Sequence, residues 1–455
     1  MNKSKQFDLV VIGTGPSAGT VAKKTAENGR SVAVVESRGF GGTCALRGCN
    51  PKKVYTNAGN LIDQVRRANG KLGTFSEASI DWSQLLAFKR EFTQPVLQKS
   101  EQSFQKHGIE TFHGIARFAG PTTIQVDDWQ LEAKQIFIGT GARPVSLGIN
   151  GEEHVTHSAE FFELSKMPDH VVFIGGGYIS MEFAHVVARY GSEVTVIDRH
   201  ARPLKGFDPD LVDQLMRWST GIGIQFICGS RVESVSREEN GMLQVVTADD
   251  DARQQTITTK LVVHGAGRVP NIGELNLDAG HIQHSKQGVV VDEFMRSVSN
   301  PHVYASGDCA DHDQPKLTPV ANEQARIVVK NLFAESAERK PDYGVVPRVV
   351  FTSPCLAAIG MSQWDAEQHG FDLDVRYQDT STWGSVRKTG QDCAAYKILI
   401  DKKTDLLLGA HLLGPAAEEV INLFALAMKF DITATNLKST LFAYPTFGAD
   451  VRRML

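Results

Sequence analysis

Residues 7–36 read FDLVVIGTGPSAGTVAKKTAENGRSVAVVE. An apolar run at 9–12 meets Gly13-Thr14-Gly15-Pro16-Ser17-Ala18, a helical stretch follows, and a second apolar run ends at Glu36. The order is strand, glycine turn, helix, strand, acid. In that frame Gly13 allows the tight turn and Gly15 lets a pyrophosphate approach the backbone. Ala18 is small enough for close helix–strand packing, and Glu36, about twenty residues on, suits a ribose hydroxyl. The helix N-terminus adds amides and a positive dipole end for phosphate. A glycine turn alone carries little; the frame and its acid decide for dinucleotide binding.

The same grammar returns at 170–205, HVVFIGGGYISMEFAHVVARYGSEVTVIDRHARPLK. A strand at 171–174 runs into Gly175-Gly176-Gly177, then a helix, then a strand at 193–197 ending at Asp198. Ser180 takes the third small position. Two such units imply two dinucleotides, because a decayed copy would not keep its glycines and frame. Asp198 suits the free ribose of NADH, whereas Arg199 and Lys205 suit the 2′-phosphate of NADPH. The expectation is NADPH, with NADH possible. Three shorter signatures follow strand-like runs: one at 139–144 with Gly141, one at 265–271 with Gly267, and one at 303–308 ending in Asp308. Each alone reads as a turn.

Between the two units lies GGTCALRGCNPKK, residues 41–53. Cys44 and Cys49 stand with four residues between them, behind a glycine turn and ahead of Lys52 and Lys53. Six cysteines in 455 residues are not a disulfide scaffold. The CxxxxC spacing, with no second Cys/His cluster nearby, argues against a metal site. No signal-peptide pattern and no run of about 18 apolar residues appears, so no membrane span and a reducing cytoplasm are expected. There, close cysteines are more often catalytic than structural. The formal charge of −4 gives no reason to expect nucleic acid or a membrane surface as partner.

Together GTGPSAG, GGTCALRGCNPKK, GTGARP, GGGYISME, GAGRVPN, ASGDCA and GAHLLGPAAEEVI, in that order, resemble the class I pyridine nucleotide-disulfide oxidoreductases. Glutathione reductase, dihydrolipoamide dehydrogenase and mercuric reductase are members of that family. The resemblance runs from about residue 7 to the C-terminus and implies an α/β fold. Two Rossmann-like three-layer dinucleotide-binding domains would be followed by a C-terminal α+β dimerisation domain. It implies FAD on the first unit and a nicotinamide nucleotide on the second. Cys49 would face the flavin and Cys44 would exchange with substrate, so the pair becomes a redox relay. Lys52 or Lys53 would lie near the flavin and pair with Glu182, with Lys52 favoured. Thr43, Gly141, Gly267 and Asp308 would join the cofactor sites. Tyr178 would cover the nicotinamide face of the flavin. A helix end and lysine charge beside the thiols are expected to lower their pKa.

The resemblance breaks near the C-terminus. Disulfide reductases of this family carry His-Pro-Thr-x-x-Glu; here Tyr444-Pro445-Thr446-Phe447-Gly448-Ala449 stands in its place. An imidazole titrates near 6.5 and exchanges protons at neutral pH, whereas a tyrosine titrates near 10 and rarely accepts one. The acceptor is therefore open between a small disulfide or thiol-reactive compound and a quinone, dye or metal ion reduced directly by the flavin. A redox-sensing module with incidental turnover is a third reading. Expected domains are 1–144 with 266–340 (FAD), 145–265 (nicotinamide nucleotide) and 341–455 (dimerisation). A homodimer with the active site completed by the partner's C-terminal domain is implied.

Overall fold

The computed structural model describes residues 3–335 and 339–455. The chain divides into two compact units, residues 1–52, 88–145 and 268–343 in the first and 53–87, 146–267 and 344–455 in the second.

The first unit is built on one seven-stranded sheet. Its parallel part runs Glu110–His113, Val32–Glu36, Lys3–Ile12, Trp129–Ile138 and Val303–Ala305. Leu9, Val10, Val11, Val34, Ile136 and Phe137 are fully buried. This is why the strands read as unbroken apolar runs rather than alternating ones: a parallel sheet is covered on both faces. The strands Arg117–Gly120 and Thr123–Val126 extend the sheet as an antiparallel meander. The helices Pro16–Glu27 and Thr318–Asn331 pack against each other. The expected first strand is longer than its apolar core, because residues 3–7 pair in register with Trp129–Ile138.

The second unit holds a four-stranded parallel sheet in the order Ile224–Cys228, Glu193–Asp198, His170–Ile174, Leu261–His264. A three-stranded antiparallel sheet, Ser230–Arg237, Leu243–Asp249 and Gln254–Thr259, accompanies it. The C-terminal part is a five-stranded antiparallel sheet. Helix Ala417–Lys429 packs on that sheet, with Ile421 and Phe424 buried and Leu426 more than half exposed. The fold class read from the sequence is the one observed.

A buried polar cluster pins the helix that follows the second glycine turn. Arg189, 3% exposed in its side chain, bonds Asp63 Oδ1 at 2.9 Å and the Ser353 carbonyl at 2.9 Å. Asp63 Oδ2 also accepts from Ser353 Oγ and Arg67 Nε. Burial, and then the charge of Arg189, push His185 well below its ordinary pKa, so it is neutral. Its Nδ1 accepts from the Ser353 N–H at 3.2 Å. Removing one partner of a buried ion pair leaves the other charge uncompensated. Arg189→Met is therefore expected to lower unfolding stability by about 3 kcal/mol or more, read as a shift in the denaturation midpoint. An unchanged midpoint would show that water or Arg67 already satisfies Asp63.

Candidate active site

In the first unit the glycine turn is fixed by backbone geometry. Gly13 takes φ +103°, and a Cβ there would stand 2.5 Å from the Gly139 carbonyl oxygen. Ala18 is fully buried, and its methyl would meet any Cβ on Gly139 at 2.9 Å. Gly15 caps the helix Pro16–Glu27, and a Cβ on it would meet nothing within 4 Å. Open space over a helix N-terminus is what a pyrophosphate needs. Gly141 is equally open, and its carbonyl accepts from the Asn271 N–H at 2.9 Å.

Glu36 ends its strand nearly buried. Its carboxylate accepts from Thr14 Oγ1 at 2.5 Å and from the Arg38 N–H at 2.9 Å, and Thr14 Oγ1 accepts from the Gly41 N–H at 3.0 Å. The acid, the turn and the start of the cysteine segment are thus tied together. Arg47 lies within electrostatic reach of Glu36, Arg38 and Arg268, and its buried Nε has no hydrogen-bond partner among the described residues. Burial pushes the Arg47 guanidinium down from its ordinary pKa. Asp308 is pushed up, by burial first, with Arg268 and Lys316 opposing. An orphaned guanidinium N–H beside an open glycine turn fits an anionic dinucleotide such as FAD.

The cysteine pair straddles a break between two helices. Cys44 lies in Gly42–Arg47 with the exposed Thr43, and Cys49 begins Cys49–Ala68. Cys49 is exposed and Cys44 half-buried, and neither is in a disulfide. Thr318, the first residue of the helix Thr318–Asn331, donates its hydroxyl to Cys44 Sγ at 3.4 Å and lies 3.7 Å from Cys49 Sγ. The expected lowering of thiol pKa does not hold for Cys44. Its thiol is pushed far up, first because it hydrogen-bonds Cys49 and then by burial. Contact with Cys49 and burial thus favour the protonated form of Cys44. Lys52, nearly buried, follows in the first turn of the Cys49 helix.

In the second unit Gly175 takes φ +89°, and a Cβ there would stand 2.5 Å from Ala266 Cα. Gly177 caps the helix Tyr178–Tyr190. Gly267 faces open space. Tyr178 is 46% exposed, and Ser180 Oγ is buried with no hydrogen-bond partner among the described residues. Asp198 ends its strand with both oxygens engaged. Oδ2 accepts from the Gly176 N–H at 2.5 Å, and Oδ1 accepts from the His200 N–H at 2.7 Å and lies 2.8 Å from His200 Nδ1. Arg199 and Lys205 are exposed on the loop that follows.

Further along the same helix, Glu182 is 1% exposed. Its Oε1 accepts from the Phe351 N–H at 3.0 Å, and Lys53 Nζ lies 3.6 Å from its Oε2. Lys53 Nζ also sits 3.0 Å from the centre of the Phe351 ring. Of the two lysines the sequence offered for this place, Lys52 favoured, Lys53 is the one whose Nζ stands 3.6 Å from Glu182. Tyr444 is 89% exposed. His411 is buried in the five-stranded sheet with Nε2 on the Met361 carbonyl at 3.0 Å, a packed residue. Cys309 and Cys393 are buried, and Cys228 and Cys355 are partly buried. Sequence reasoning missed Thr318, His200 and Phe351. A Thr-Pro at a helix start gives no hint of sulfur, and His200 stands in a charged loop.

Among the described residues no three His, Cys, Asp or Glu gather to hold a metal ion, and no helix is long and apolar enough to cross a membrane.

Comparison with known proteins agrees with this layout. Residues 7–325 match the family model described as pyridine nucleotide-disulphide oxidoreductase, and 346–455 match the dimerisation domain of the same family. A mercuric reductase of Staphylococcus aureus is 30% identical over 455 residues, covering 99% of this chain and 82% of that one. A glutathione reductase of Burkholderia cepacia is 31% identical over 452 residues, covering 98% and 97%. A dihydrolipoyl dehydrogenase of Halobacterium salinarum is 28% identical over 450 residues, covering 97% and 94%. A copper(II) complex of the HOCl-induced flavoprotein disulfide reductase RclA from Escherichia coli superposes with TM-score 0.87 at 26% identity, over 100% of this chain and 99% of that one.

Proposed function

We propose, for a chain that belongs to the pyridine nucleotide-disulphide oxidoreductase family and is an FAD- and NAD(P)H-dependent oxidoreductase with a redox disulfide, that electrons leave through Cys44 and Cys49 to a small disulfide or similar thiol-reactive acceptor, with NADPH as donor. The observation that carries this reading is the cysteine pair itself: two sulfurs within reach of one hydroxyl, 3.4 and 3.7 Å from Thr318 Oγ1, at the break between two helices.

Bound FAD supplies two-electron transfer between nicotinamide and sulfur. Gly13, Gly15, Ala18 and Glu36 would hold it, with Thr43, Gly141, Asp308 and the lysines. Gly175, Gly177, Tyr178, Asp198 and Gly267 would hold the nicotinamide nucleotide. The residues of the chain then do the sulfur chemistry. In the dithiol, the Cys44 sulfur attacks an acceptor R–S–S–R′. A Cys44–S–R bond forms, R′–S⁻ leaves, and the Cys44 proton goes to it. The Cys49 thiolate next attacks the Cys44 sulfur, closing Cys44–Cys49 and releasing R–S⁻, which takes a proton from solvent. Two electrons pass to the acceptor and both atoms and charge balance.

The donor preference follows from the loop after Asp198. The Asp198 carboxylate is engaged by Gly176 and His200, so it is less able to repel a 2′-phosphate, and Arg199 and Lys205 stand exposed beside it. Arg199→Ala is expected to raise KM for NADPH about tenfold while leaving KM for NADH within about twofold. Steady-state kinetics with both donors test this; equal losses for the two would place Arg199 in the loop's structure instead.

A dimerisation domain implies a homodimer. Leu441 and Tyr444 are 87% and 89% exposed in the single chain, and Phe430 is 68% exposed. We take this apolar surface as the part covered by a second copy, with Tyr444 reaching the cysteine pair of that copy. We place the protein in a reducing cytoplasm, where close cysteines are more often catalytic than structural. A second reading, direct reduction of a quinone or metal ion, is favoured by one observation: Tyr444 and Ala449 stand where the family's disulfide reductases carry histidine and glutamate. NADPH oxidation by the full chain with glutathione disulfide, an aromatic disulfide and a quinone separates the two. Turnover with the disulfides supports the relay, and turnover confined to the quinone overturns it.

A further inference from the structure

We propose that Thr318 is a positioning residue of the redox pair, its hydroxyl holding Cys44 and Cys49 together in the reduced chain and donating to whichever sulfur is the thiolate. Thr318 Oγ1 donates to Cys44 Sγ at 3.4 Å and stands 3.7 Å from Cys49 Sγ, both within hydrogen-bond reach of sulfur. A threonine hydroxyl has one proton to give and two lone pairs to receive with, so it serves one sulfur as donor and the other as acceptor, and exchanges these roles by rotation. In the reduced pair Cys44 hydrogen-bonds Cys49. When Cys49 is the thiolate it has no proton to give, and rotation of the Thr318 hydroxyl, 3.7 Å away, brings a donor to it. In the disulfide there is no thiolate for the hydroxyl to serve. The hydroxyl thus favours the reduced, singly ionised state over both the dithiol and the disulfide.

The backbone places this hydroxyl with care. Thr318 opens the 14-residue helix Thr318–Asn331, so the positive end of a helix dipole reinforces the same charge. Pro319 follows at once, and a proline in the first turn keeps the helix start at this residue. The elements that carry the three side chains also bear Arg47, Lys52, Glu323 and Arg326, with Lys316 two residues before Thr318. Glu323 and Arg326 pair with each other at 2.6 Å. All of these charges remain when the hydroxyl is removed, which lets the substitution report on the hydroxyl alone.

The inference rests on the relay reading of Cys44 and Cys49, but its test needs no acceptor. The full chain is reduced, freed of reductant, and titrated by ultraviolet thiolate absorbance and by the pH dependence of alkylation. Thr318→Val keeps the shape and loses the hydroxyl; Thr318→Ser keeps the hydroxyl and loses the methyl. A hydrogen bond to a charged group corresponds to about one pH unit or more. Thr318→Val is therefore expected to raise the first thiolate midpoint by about one unit, leaving about tenfold less thiolate at neutral pH. Thr318→Ser is expected to stay near the wild type. Above the thiolate midpoint, Thr318→Val is also expected to raise the equilibrium constant for disulfide formation against glutathione about tenfold. Equal midpoints for wild type and Thr318→Val would overturn the proposal, as would a serine variant that behaves like valine, since the methyl packing would then be the active part. Should valine prevent folding, Thr318→Ser and Thr318→Ala are compared in its place under the same two criteria. Loss of acceptor turnover with an unshifted midpoint would count against the hydroxyl and not against the relay.

Discussion

Cys44→Ser is expected to lower NADPH-dependent turnover of a disulfide acceptor by at least about a thousandfold, because an alcohol cannot form the mixed disulfide that splits the reaction into two easy steps. FAD content should stay at the wild-type level, since the glycine turn, Glu36 and Arg47 are untouched. Cys49→Ser should stop the second step, trapping the acceptor on Cys44, and mass spectrometry would find the adduct. Quinone turnover is expected to survive in both variants, as it needs no sulfur. If disulfide turnover persists in Cys44→Ser, the pair is not the route of the electrons. The pH profile carries a second sign. Contact with Cys49 and burial hold the Cys44 proton far above its ordinary range, so its thiolate fraction, and with it the first step, rises as pH rises through the neutral and alkaline range. A wild-type rate for disulfides that falls above neutral pH would contradict this assignment of the proton.

The double substitution Tyr444→His with Ala449→Glu is expected to raise disulfide turnover at neutral pH by about tenfold to a hundredfold. A positioned general base contributes about 10²–10⁴, and the gain here is set lower because neither the loop nor the acceptor pocket was shaped for it. The physical case is the protonated Cys44. A neutral phenol is a proton donor with little basicity, whereas a neutral imidazole can accept the Cys44 proton as general base while the sulfur attacks the acceptor. The glutamate at position 449 would orient the ring, as a carboxylate orients a catalytic histidine elsewhere. The rise should be confined to disulfide acceptors, and the pH profile should gain an inflection near the imidazole pKa. A double variant no faster than wild type, with FAD and dimer intact, would mean that Tyr444 does not meet the pair at all. Tyr444→Phe serves as the control. Little change would assign Tyr444 a packing role, and a large loss would make its hydroxyl the acid that protonates the leaving thiolate.

How much was legible in the sequence depended on whether the cause was local. The two strand–turn–helix–strand frames were readable because a glycine at φ above +80° and a buried apolar run are properties of neighbouring residues. The cysteine pair was readable for the same reason, from four residues of spacing and a glycine turn. The acids Glu36 and Asp198 were found at the ends of their strands, where a fixed strand and helix length puts them. What those groups hold was not readable. Asp198 turned out to be engaged by Gly176 and His200, a matter of how its loop folds back.

By itself the sequence determined the α/β class, the two glycine turns, the thiol pair and the loss of the histidine–glutamate dyad. Only the tertiary structure decided that burial and its neighbour push the Cys44 thiol up, that Lys53 lies beside Glu182, that Arg189 and Asp63 form a buried pair, and that a threonine 274 positions from Cys44 donates to its sulfur. The physical reason is range. Turn chemistry and hydrophobic periodicity act over a few bonds, so one stretch carries its own answer. A hydrogen bond or a shared charge acts between whatever atoms the sheet order brings within 4 Å, and that order exists only once the whole chain has folded.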